Sequence, residues 1–123
     1  MIEIRITIDA ALTLLLERMK FELKVRQSEG IIKPGLKLEN LSYEDLFKLT
    51  EASLFDTVFL LPVDLITSET NLVQVITQTV RALSKVLNRE EFQLYTQRQA
   101  QKLIAPIKKI FVNINDNKNF FEN

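Results

Sequence analysis

The chain contains no cysteine and no histidine, and only two glycines and three prolines in 123 residues. Without cysteine it has no disulfide, no thiol nucleophile and no thiolate zinc site; without histidine it has no imidazole base and no Ser-His-Asp triad. Any catalysis would have to rest on carboxylates, lysines or hydroxyls. Few glycines and prolines argue against a sandwich or barrel, which need turn residues about every ten positions. Long apolar runs are also missing. Ala10 to Leu16 and Val58 to Val63 fall far short of the roughly 20 residues that a membrane span needs. Glu3 and Arg5 interrupt the place where the apolar run of a secretory leader would begin. These absences predict a soluble, cytoplasmic protein with no membrane partner, and zero cysteine fits a reducing compartment.

What is present fits one helical domain. A chain of this length can bury a real core but not two, and 46% hydrophobic with 26% charged residues is ordinary globular composition. The expected fold class is all-α: a single four- to five-helix bundle over residues 1–114, with room for a short N-terminal strand or ribbon, and then a polar, Asn-rich tail over 115–123. Ile2, Ile4, Ile6 and Ile8 alternate with polar residues as in a strand, although the same stretch fits the first turns of a helix. From Asp9, read as an N-cap, a helix runs to about Gln27 or Ser28 with Ile8, Leu12, Leu15/Leu16, Met19 and Leu23 on its buried stripe, and Gly30 stops it. Lys33-Pro34-Gly35-Leu36 matches a type II turn, inside either an ordered loop or a small ribbon. Ser42 caps the next helix with Asp45 at the third position. Ser53 either kinks that helix or lies within it, and Pro62 ends or bends it. The run Val58 to Ile66 is the expected most buried stretch, and Thr67, Ser68 and Thr70 are candidate caps for the helix after it.

The second half is organised around Asn88. Before it, Leu72, Ile76, Thr79/Val80, Leu83 and Val86/Leu87 recur with helical period, so a helix is expected over about 71–87. Asn88 with Arg89-Glu90-Glu91 after it reads as an N-cap with a capping box, opening a second helix to about Val112. Phe92, Tyr95, Ala100, Leu103, Ile107, Ile110/Phe111 and Ile114 form its buried stripe, and Pro106 is expected to kink it.

Charge is unevenly placed although the net is zero. Residues 36–70 hold two lysines against seven acids, whereas 71–115 hold seven bases against two acids, so one acidic and one basic surface are expected. The candidate nucleic-acid-binding residues are the polar stripes of these last helices: Gln74, Gln78, Arg81, Lys85, Arg89, Arg98, Lys102, Lys108 and Lys109. Arg81, Lys85 and Arg89 would succeed one another at about 6 Å per step if the helix ran through the break, a spacing suited to a phosphate backbone. Arginine gives forked hydrogen bonds, lysine a point charge, and glutamine a neutral donor to phosphate or base. The competing reading is a solvated helix face. No aromatic is interleaved on that face, so base stacking is not indicated.

Carboxylates offer less. Glu44/Asp45, Asp56, Asp64 and Glu69 match no metal-loop spacing and several read as helix caps. The expectation is therefore no enzyme, with no catalytic residue, metal, cofactor or small-molecule substrate. Lys20 and Lys24 accompany no nucleophile motif, and the Leu-rich first helix reads as a core or subunit-contact helix rather than a membrane-surface one.

In overall layout the chain resembles the small helical subunits of CRISPR effector complexes, which are about this length, all-helical, without catalytic residues and basic on one side. The resemblance covers the whole chain as a layout and rests on no short motif, so no binding residue is carried over from it. It implies copies that stack along a nucleoprotein complex and contact guide–target duplex or displaced strand. The alternative is a protein-only helical adaptor or dimerising regulator of phage, plasmid or bacterial origin, in which the acidic segment of one copy meets the basic segment of another.

Overall fold

The computed structural model describes the backbone of residues 2–58 and 69–114, and side chains over 8–57 and 72–106. Among these residues the chain is helical, with α1 Ile2–Ser28, α2 Tyr43–Val58, α3 Glu69–Leu87 and α4 Gln97–Ile114, plus short 3-10 segments at Leu38–Asn40 and Glu90–Leu94. The expected all-α bundle is the fold that forms. The readings for Pro62, Val58 to Ile66, Thr67, Ser68 and the tail 115–123 lie outside the described residues.

The N-terminal alternation does not make a strand: α1 begins at Ile2 and passes through Asp9, which is no cap. A lone strand leaves its backbone groups unpaired, whereas a helix satisfies them within the segment. α1 ends as Gly30 predicts. Gly30 takes a φ of 77°, the Ile31 N–H bonds to Arg26 O at 2.9 Å and the Gly30 N–H to Gln27 O at 3.2 Å, which is a Schellman closure. Pro34-Gly35 then turns with Gly35 at φ 88°. Gln27 Nε2 donates to the carbonyls of Lys33 and Leu36, each at 3.0 Å, and fixes that turn. The stretch is a loop, not a ribbon, closed by buried Ile32 and Leu38.

Ser42 Oγ accepts the Asp45 N–H at 3.2 Å and caps α2, which runs unbroken through Ser53. α1 packs on α2 and α3, and α4 on α3 and α2. Leu15, Met19, Leu46, Leu49, Leu72, Ile76, Leu83 and Ile104 meet in the core. Truncating one such side chain to alanine costs about 2–5 kcal/mol. Buried threonines are accommodated because Thr50, Thr57, Thr77 and Thr79 each return their hydroxyl to the carbonyl four residues back, at 2.6 to 2.8 Å.

The break at Asn88 has a different cause from the one its residue type suggests. Asn88 adopts a φ of 54°, the Arg89 N–H bonds to Ser84 O at 2.9 Å and the Asn88 N–H to Lys85 O at 3.4 Å. Asn88 therefore terminates α3 in left-handed conformation and caps nothing after it. The next element is the 3-10 segment Glu90–Leu94, which has no side-chain cap. The last helix starts later, where Thr96 Oγ1 accepts the Gln99 N–H at 3.2 Å and Gln99 Oε1 accepts the Thr96 N–H at 2.9 Å. That reciprocal pair is the capping box. α4 continues through Pro106.

Candidate nucleic-acid interface

The α3 stripe lies where its spacing places it. Gln78, Arg81 and Lys85 are exposed and Gln74 is half-buried, while Leu72, Ile76, Val80 and Leu83 face the core. On α4, Arg98, Gln101 and Lys102 are exposed and Ala100 and Ile104 are buried. Ile104, not Leu103, is the fully buried member of that turn, since starting the helix at Gln97 rotates its inner face. Of the expected pair Val86/Leu87, Leu87 is buried in the core and Val86 is 55% exposed.

Two of the expected contact residues serve the fold. Arg89 has a side chain only 14% exposed. Its Nη1 donates to Leu41 O at 2.6 Å and Glu39 O at 3.4 Å, and its Nε and Nη2 fork onto the Glu91 carboxylate at 3.2 and 3.0 Å. The Arg89 hydrogen bond holds the exposed Glu91 carboxyl below its ordinary range. This arginine ties the end of α3 to the loop before α2 and is not free for a ligand. Arg81 donates its Nε to Tyr95 O at 3.1 Å, which leaves its outer nitrogens available and fixes the start of α4 beside α3.

That bond also brings Arg81 to the start of α4. Arg98 is three residues beyond Tyr95, so its Cα lies within about 11 Å of the Tyr95 Cα, and Arg81 and Arg98 stand at the same end of the helix pair. Lys85, Arg98 and Lys102 have no ion-pair partner among the described residues, and neither does any base of 72–106 with an acid of 36–57. The side chains of Lys108 and Lys109 lie outside the described residues.

The carboxylates do not gather. Glu44 pairs with Lys48 at 3.0 Å and Asp56 with Arg18 at 3.0 Å, while Asp45 sits in the first turn of α2. Among the described residues no cluster of three potential metal ligands occurs, and no helix is long and apolar enough to cross a membrane. Tyr95 is the one strongly perturbed group among them: burial, with the charge of Glu51 adding to it, pushes its phenol up to about 12.

Sequence alone does not single out the trio Lys20, Lys24 and Lys37, which rims an apolar groove of about 570 Å³ between α1, the loop after it and the end of α3. Lys20 and Lys24 share a helical face, a readable signal, but Lys37 joins them only through the Pro34-Gly35 turn. Comparison with family models, with curated proteins and with solved structures finds no match for this chain.

Proposed function

We propose that this protein is a non-catalytic helical subunit of a nucleoprotein assembly, in which α3 and α4 steady a nucleic-acid backbone without reading sequence. This is the role that its layout resemblance to CRISPR effector small subunits implies. The observation that carries it is that, among the described residues, no exposed cation of the two helices is ion-paired with an acid of residues 36–57 of the same copy. Lys85, Arg98 and Lys102 supply charge, Arg81 adds its free outer nitrogens, and Gln78 and Gln101 add neutral donors. Cations and amides on adjacent helices suit phosphate contact, and residues 72–87 and 97–106, whose side chains are described, include no aromatic to serve as a stacking platform.

The test is titration of labelled single-stranded RNA, single-stranded DNA and duplex DNA by fluorescence anisotropy at two salt concentrations. Binding that is indifferent to base sequence and weakens steeply with salt supports the proposal. Absence of binding at low salt removes it.

A protein-only adaptor is the second reading, favoured by large apolar side chains left open: Leu94 is 78% and Ile31 66% exposed. Light scattering that finds a stable oligomer with no affinity for nucleic acid selects it.

A further inference from the structure

We propose that the groove between α1, the loop after it and the end of α3 docks an acidic amphipathic helix of a partner protein. The proposal does not rest on the polyanion reading, because the groove uses none of the residues assigned to it.

The groove floor is apolar, formed by Leu16, Leu23, Leu38, Val86 and Leu87. Leu87 and Leu23 are the least covered members of the hydrophobic core, at 8% and 7% exposure, and Val86 is open at 55%. The core therefore reaches the surface here. α1 lines the groove from Leu16 to Gln27, a length of about 16 Å, which matches three turns of a docked helix. The shape is an open trough, so it suits a partner whose far face stays in water; a small apolar ligand needs most of its surface enclosed.

Charge complementarity names the sign of that partner. Lys20, Lys24 and Lys37 stand on the rim, against Glu39 as the acid lining it, and no ion pair among the described residues uses any of the three lysines. Lys20 and Lys24 are one helical turn apart, about 6 Å, the spacing of acids placed four residues apart on an opposing helix. Gln27 holds the Lys33 and Leu36 carbonyls, so the loop carrying Lys37 is fixed in place before docking. Aliphatic anchors in the trough with carboxylates at its rim are the helix-in-groove mode of recognition.

The test uses the full chain and a synthetic labelled peptide of about four helical turns, with leucines at i, i+3, i+4 and i+7 spacing and glutamates elsewhere. A shuffled peptide of the same composition and a lysine-for-glutamate version serve as comparisons. Anisotropy should show saturable binding of the patterned acidic peptide and binding weaker by at least about tenfold for the shuffled one. Val86→Asp, at an exposed position that keeps the fold by circular dichroism, should weaken binding by a similar factor. Lys20→Glu with Lys24→Glu should lose the glutamate peptide and gain the lysine peptide. Equal binding of the shuffled peptide, indifference to Val86→Asp, or unchanged charge preference in the double variant overturns the proposal. So does light scattering that shows a dimer which Val86→Asp dissociates and the acidic peptide does not, since the occupant is then a second copy.

Discussion

Arg89 Nη1 donates a 2.6 Å hydrogen bond to the carbonyl oxygen of Leu41, forty-eight residues earlier in the chain. The same guanidinium forks onto Glu91, so one side chain joins the end of α3, the 3-10 segment after it and the entry to α2. Arg89→Ala leaves those carbonyls to find water in a confined place. We expect a loss of about 1.5–3 kcal/mol in urea denaturation, with nucleic-acid affinity of the folded protein unchanged. Arg89→Lys should recover only part of the stability, because an ammonium cannot serve carbonyl and carboxylate at once.

Asn88 provides a separate test of how α3 ends. A residue at φ 54° is best served by glycine and tolerated by asparagine, whereas serine carries the Cβ strain without the same tolerance. Asn88→Gly should hold or raise the urea midpoint and Asn88→Ser should lower stability by about 1 kcal/mol. An N-cap at this position would show serine as neutral.

Tyr95 is 3% exposed and its hydroxyl has no hydrogen-bond partner among the described residues. Removing it with Tyr95→Phe takes away an uncompensated polar group, so at pH 7 the variant should be as stable as the parent or up to about 2 kcal/mol more so. The phenol's folded value, raised to about 12 from 10.0, means that the folded state holds its proton longer than the unfolded one. Stability is then fully present below pH 10 and is lost as the pH climbs from there through about 12. Denaturation midpoints across that window should fall more steeply for the parent than for Tyr95→Phe.

Arg81 and Arg98 should separate by phenotype even though both are exposed arginines. Arg81→Ala removes the 3.1 Å bond to Tyr95 O and should cost about 1 kcal/mol of stability as well as some binding. Arg98→Ala, with no ion-pair partner among the described residues, should leave stability within about 0.5 kcal/mol and lower only the affinity for nucleic acid.

Much of the bundle is legible because local chemistry and global packing agree. Gly30, Pro34-Gly35 and Ser42 each admit one backbone role, and the period of Leu72, Ile76 and Leu83 places the inner face of α3. Asn88 and Thr96 show where reading by residue type runs out. Asparagine serves as N-cap and as left-handed terminator alike, so the choice between them is made by the Ser84 carbonyl and by Arg89 reaching Leu41, contacts that no local window contains. Ile2 to Ile8 fails for a related reason: alternation marks a strand only if another strand is there to pair with it, and the described residues include none. Of the candidate site, the exposure of Lys85, Arg98 and Lys102 is set by helix period. The structural duty of Arg89 is not, because charge in a sequence does not say which carbonyls it will meet.

The exposed cations of α3 and α4 acting together on a polyanion are the centre of the proposed function, and the salt dependence of binding tests it most directly. For the parent chain on a long single strand, log Kobs against log salt should fall with a slope of about −0.7 per phosphate neutralised. The Lys85→Ala, Arg98→Ala, Lys102→Ala triple variant should remain folded with a slope shallower by about two units. A triple variant with the parent's slope and affinity would contradict the account.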